Sequence, residues 1–206
     1  MPAGANLESV VEGIRAYLSE LDGAREKCLV LSREIVRLSS TAIRAMHRRD
    51  DAQAGQLLEQ VRQKLDGLRE VLRARPELGY TGSVVSAEKE FAEAAITRAI
   101  VGGKDLPSAE ALGISYQAYL NGLGECVGEL RRYILDNLRR NDFSRCEELL
   151  SVMDDIYGLL MGLDFPDAVT FGLRHTSDNV RGILERTRGD LTMALIQHNL
   201  KERLSR

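Results

Sequence analysis

Apolar positions along the chain recur at helical rather than strand spacing. Between Leu7 and His47 only Gly13 and Gly23 interrupt the run, and Ile14, Leu21, Cys28, Ile35 and Ala42 return every seven residues beside Leu18, Leu31, Leu38 and Met46. Such a stripe predicts one long helix, capped at Asn6 or, with a shorter helix, at Ser9, and another helix lying along it for many turns. A second helix is expected from Asp50-Asp51 to Ala74-Arg75, with Leu57, Leu58, Val61, Leu65, Leu68, Val71 and Leu72 as its apolar face. Pro76 ends it, because the residue before a proline is pushed out of the helical region. Pro76 to Thr81 reads as a loop, and a third helix follows over 83–100, stopped by Gly102-Gly103.

Asp105 or Ser108 caps a short helix that ends at Gly113, Pro107 favouring a boundary at Asp105 or Leu106. The next long helix is expected from Ser115 to about Leu138. A break at Asn141-Asp142 then leads into a helix capped by Ser144 or Asp142, running through Leu160 and closed by Gly162. Beyond Pro166 the chain reads as helical to about Leu204, with an irregularity near His175-Thr176-Ser177-Asp178. Every element is a helix. With no repeat or linker in 1–206, the economical reading is one all-α bundle.

Composition narrows the function classes. The 206 residues carry 28 Lys+Arg against 31 Asp+Glu, a formal charge of -3, which excludes a uniformly basic coat but not a local or internal basic lining. No apolar run reaches the roughly 20 residues that span a bilayer, so no membrane partner is expected. The first residues lack a secretory pattern, and Cys28, Cys126 and Cys146 lie far apart without CxxC spacing, as in a reduced, cytoplasmic chain without a cysteine zinc site.

Two helix faces carry candidate chemistry. On the third helix Ser86, Glu90, Glu93 and Thr97 fall together at steps of four, three and four, while Phe91 points elsewhere. On the helix after Ser115, Glu125 and Glu129 lie one turn apart, flanked on that face by Gly122 and Arg132. Gly122, Gly124 and Gly128 each cost a helix about 1 kcal/mol, which points to a close backbone approach or room for a ligand. If the helices are neighbours, the two acidic pairs form a four-carboxylate site suited to Mg2+ or Mn2+. The same spacing is common on solvated helix surfaces, and spacing alone leaves both readings open. Without an ExxH partner, a di-iron bundle is disfavoured.

Basic residues cluster near helix C-termini: Arg44, His47, Arg48 and Arg49; then Arg131, Arg132, Arg139 and Arg140; then Lys201, Arg203 and Arg206. Positive charge is favourable there for structural reasons alone. Only the middle group shares a helix with Glu125 and Glu129, so those four arginines are the preferred phosphate contacts. His47, His175 and His198 are isolated in sequence and carry no catalytic arrangement of their own.

The segments REKCLVLSREIVRLSS (from Arg25), KEFAEA (from Lys89), YLNGLGECVGELRR (from Tyr119), NDFSRCEELL (from Asn141) and GLRHTSDNVRGILE (from Gly172) together resemble the translin and translin-associated factor X (TRAX) family, in its prokaryotic, archaeal-type form. The resemblance implies a seven-helix subunit with long antiparallel helices that assembles into a hollow homo-oligomer, an octamer in the family. It implies binding of single-stranded RNA or DNA and, in the TRAX type, a Mg2+-dependent endoribonuclease centre. Eukaryotic mixed complexes of the family cleave the passenger strand of small interfering RNA and process tRNA fragments. Carried over by local motif, the metal-holding, catalytic acids are Glu90 and Glu93 in KEFAEA, with Glu125 and Glu129 in GECVGEL. Glu125 stands where the TRAX pattern usually has aspartate. The rival readings are a noncatalytic nucleic-acid-binding assembly and a purely structural helical oligomer.

Overall fold

The computed structural model describes residues 3–204, with side chains from Leu7 onward. Among these residues there are eight α-helices and no strand: α1 (Ala3–His47), α2 (Asp51–Ala74), α3 (Gly82–Val101), α4 (Ala109–Leu112), α5 (Tyr116–Leu138), α6 (Cys146–Met161), α7 (Asp167–Thr170) and α8 (Leu173–Leu204). Two of them, α4 and α7, are four-residue turns, and six long helices build the bundle.

Core packing follows the apolar stripes. Cys28, Ile35, Leu38 and Ala42 of α1, Leu58, Val61, Leu65 and Leu68 of α2, and Ala87, Phe91 and Ala94 of α3 form one cluster. A second joins Ala92, Ile96 and Ile100 of α3 to Cys126, Val127, Leu130 and Ile134 of α5, Leu149 and Met153 of α6, and Val180, Leu184 and Leu191 of α8. α3 feeds both clusters, so it is apolar on two sides and its polar face is narrow. Glu90 and Glu93 occupy that remaining strip.

Several sequence expectations shift. Helix α1 starts by Ala3, which places Asn6 inside it rather than at its cap. The seven-residue stripe is buried only from Cys28 onward; Ile14 and Leu18 are each 54% exposed, as the first turns of α1 extend past the end of α2. The expected loop after Pro76 is a 3-10 helix, Pro76–Tyr80. Ser108, not Asp105, caps α4 by accepting from the Ala111 amide. Neither Ser144 nor Asp142 caps α6, which starts after Arg145 without a side-chain cap; Asp142 instead accepts from the Ser144 amide and hydroxyl. The break near the last helix falls at Phe171 and Gly172, with φ of 53° and 87°, and His175 to Asp178 are regular helix. No helix among the described residues is long and apolar enough to cross a membrane.

Candidate functional site

The acidic strip of α3 meets α5 because of one glycine. A Cβ on Gly122 would lie 2.6 Å from the Ala92 Cβ, 2.8 Å from the Lys89 carbonyl oxygen and 2.9 Å from the Glu93 nitrogen. Two of those atoms are backbone and cannot yield, so only glycine lets α5 seat this close to α3. Glu125, three residues on, is thereby carried to the side of Glu90 and Glu93. One carboxylate oxygen from each of the three lies within 4.8 Å of the others.

Such crowding carries an electrostatic cost. Burial and the neighbouring charges of Glu125, Glu90 and Glu129 push the Glu93 carboxyl up to about 8. Glu90 is raised too, by burial first and then by Glu125, with Lys89 acting in the opposite direction. Lys89 donates from Nζ to Glu125 Oε1 at 2.5 Å, so one of the three acids already holds a cation. The set is a partly buried, oxygen-only donor group in which acids outnumber cations, the donor chemistry that suits a hard divalent cation.

Glu129 behaves differently. Its charge reaches Glu90 and Glu93, but its Oε2 is held by His47 Nε2 at 2.5 Å, with Arg132 at 3.8 Å. His47 Nδ1 is buried 3.7 Å from Asp136 Oδ2, beyond hydrogen-bond distance, so it is the Nε2 contact to Glu129 that ties the imidazole of α1 to α5. The grouping of basic residues by shared helix therefore missed the closest partner of the site. Its signal was positional: His47 follows the buried Ile43 by four residues, on the inward face of α1 rather than the solvated one. Lys89, inside the KEFAEA segment, was likewise passed over.

The four arginines separate. Arg131 donates to the Thr187 hydroxyl at 3.1 Å and to Asp190 at 2.8 Å, which ties α5 to α8. Arg132 is half exposed beside Glu129. Arg139 is 83% exposed near Asp136, and Arg140 is exposed just past the end of α5. At 1.5 Å per helical residue, Arg139 lies roughly 15 Å along the axis from Glu129. Of the polar residues flanking Glu90 and Glu93, Ser86 is half-buried and Thr97 is buried.

No protein-family model matches the sequence. An uncharacterized protein of Methanocaldococcus jannaschii is 34% identical over 195 residues, 92% of this chain and 85% of its own length. The chain of AfC3PO in its complex with duplex RNA is 34% identical, with 91% of this chain and 97% of that one aligned at a TM-score of 0.85. A further AfC3PO crystal structure superposes at 0.81 with the same identity and coverage. Apo-NeC3PO, at 21% identity, covers 94% of this chain and 98% of its own at 0.79, a likeness of fold.

Proposed function

The chain belongs to the translin/TRAX family, and on that premise we propose that it is a Mg2+-dependent endoribonuclease whose active centre is the carboxylate cluster between α3 and α5. RNA as the partner class is supported by the 34% identical AfC3PO chain, which was solved bound to duplex RNA. The observation that carries the catalytic reading is the approach of Glu90, Glu93 and Glu125 within 4.8 Å, since three acids crowded around the single ammonium of Lys89 repel one another and raise one another's pKa. Their geometry fits Mg2+ or Mn2+, whose preferred ligands are carboxylate oxygens and water.

Glu90, Glu93 and Glu125 would hold the ion, with Glu129 as the fourth acid of the set. Mg2+ bound there would polarise a phosphodiester and lower the pKa of an attacking water. Glu93, which holds a proton near neutral pH in the ion-free site, releases it as the cluster is neutralised. His47 Nε2 orients Glu129, and Lys89 Nζ orients Glu125. Arg132, beside Glu129, is placed to offset charge on a bound phosphate; Arg139 and Arg140 extend a basic path toward the end of α5.

We assign the assembly as a homo-oligomer, an octamer by family. The exposed Leu7, Val10, Val11, Ile14, Tyr17 and Leu18 on the overhanging part of α1 support self-association, because a run of apolar side chains this long is otherwise left in water.

Hydrolysis of labelled RNA, single-stranded and duplex, with Mg2+ or with EDTA tests the reading. Wild type should cleave only with the metal, and Glu125→Gln and Glu129→Gln should each lose at least about 100-fold in rate, since ligands matter more than the groups that orient them. Undiminished cleavage in both variants would remove the site. RNA affinity without Mg2+-dependent cleavage would leave a binding protein.

A further inference from the structure

Helix α8 turns a polar stripe toward the acids. His175, Asn179, Gly182 and Arg186 recur at steps of four, three and four, which puts them on one face over roughly 16 Å of helix. His175, Asn179 and Arg186 of this stripe, with Thr176, Val180 and Ile183, form one wall of a cavity of about 450 Å³ whose opposite wall includes Glu93, Gly124 and Glu125. The two walls meet at Gly124, where a Cβ would fall 2.3 Å from the Thr176 methyl carbon, and then part: a Cβ on Gly128 would find only Ile183, at 3.9 Å. The result is a cleft that narrows at one end and opens along α8, of a volume suited to small ligands or a few nucleotide units.

The charges in this cleft are unevenly matched. Other cations near the acids are already engaged, Lys89 by Glu125 and Arg131 by Thr187 and Asp190. On α8 itself, Arg181 is paired with Glu185 and Arg188 with Asp154. Among the described residues Arg186 makes no salt bridge, and its guanidinium lies along the bare backbone of Gly182, whose Cβ position is 3.5 Å from Nη1. Asn179 Nδ2 and His175 Nε2 lie 3.1 Å apart farther up the same stripe. A polyanion approaching Glu93 and Glu125 is repelled unless a cation and neutral donors face it from the other side. The α8 stripe supplies both.

We propose that this stripe is the track on which an RNA strand lies as it enters the acidic site, with the Arg186 guanidinium on a backbone phosphate and Asn179 and His175 on the sugar-phosphate next to it. The inference rests on RNA being the partner, but not on the strand being cut. It moves the principal phosphate contact from α5, where Arg131 is committed to the fold, to the facing wall.

The test is fluorescence anisotropy with a short fluorescein-labelled single-stranded oligoribonucleotide in EDTA, titrated at several salt concentrations, on the full chain and on Arg186→Ala, Arg186→Lys, Asn179→Ala and Arg181→Ala. Arg186→Ala should weaken binding about tenfold and lower the salt slope by about one, as expected for one lost phosphate contact. Arg186→Lys should recover most of the affinity, and Asn179→Ala should weaken binding a fewfold. Arg181, on another face of α8, should be silent. Affinity and salt slope in Arg186→Ala equal to those in Arg181→Ala would overturn the track, as would an absence of RNA binding by wild type. Reduced affinity in Arg186→Ala, alongside a wild type that binds but never cleaves with Mg2+, would uphold the track and sink the nuclease reading. Cleavage by Arg186→Ala at the wild-type KM would do the reverse.

Discussion

His47 and Glu129 meet at 2.5 Å although 82 residues separate them in the chain. The contact joins the last turn of α1 to the middle of α5, and so couples the first core cluster to the acidic site. With a side chain only 7% exposed, His47 is more a part of the site's frame than of the surface.

Replacing His47 with Ala should therefore act twice. Glu129 loses its buried donor, which lowers stability by roughly 1–3 kcal/mol in chemical denaturation. The freed carboxylate also loses its fixed orientation, so divalent affinity measured by calorimetry should change while His175→Ala leaves it alone. Equal affinities in the wild type and the His47→Ala variant would show that the imidazole is structural only.

Gly122 and Gly128 lie on the same helix and should respond oppositely to alanine. Gly122→Ala forces α5 away from the α3 backbone, an overpacking cost of about 1–3 kcal/mol or more, and spreads Glu125 from Glu90 and Glu93. Gly128→Ala meets nothing closer than 3.9 Å and removes a flexible helix position, so it should be neutral or stabilising by up to about 1 kcal/mol. Melting temperatures of the two variants decide this. A fall in both would mean that the α3–α5 contact is not special.

Glu93 makes the metal-free chain sensitive to pH. Its folded-state pKa, about 8, lies above the ordinary glutamate value of 4.5. Between those values the folded chain retains a proton that the unfolded chain has given up, so stability should fall as pH rises through this window and level off above it. Glu93→Gln removes this titration. The difference in unfolding free energy, Glu93→Gln minus wild type, should rise from pH 5 to pH 8.5 in EDTA. Mg2+ should reduce the wild type's loss and release a proton on binding, detectable as a buffer-dependent heat. A pH-independent difference would show that Glu93 is ionised throughout.

Arg131 and Arg132 are adjacent in sequence yet should fail in different assays. Arg131→Ala breaks the link to Thr187 and Asp190 and should lower stability by about 1 kcal/mol, Asp190 being half exposed and screened. Its RNA affinity should change little. Arg132→Ala, with its side chain 54% exposed, should leave the melting temperature unchanged and weaken RNA binding. The opposite assignment would make Arg131 the phosphate contact on α5 and Arg132 the structural one.

The helices, most of their ends and the two acidic pairs were legible in the chain because they follow from local rules. A period of 3.6 marks the buried stripe, Pro76 and Gly113 mark ends, and the spacing of Glu90 and Glu93 sets a shared face. The resemblance of KEFAEA and GECVGEL also singled out four acids, three of which the fold gathers.

What pattern alone could not decide was contact across the chain. Periodicity assigns a residue to a face of its own helix, but not to the partner opposite that face. Packing around Gly122 brought Glu125 to Glu93, the inward turn of α1 brought His47 to Glu129, and the return of α8 put Arg186 across the cleft from the acids. Each of these depends on backbone closeness between segments far apart in sequence, a property of the assembled core. The sequence determined the helices and their charged faces; the tertiary structure determined which of those charges meet.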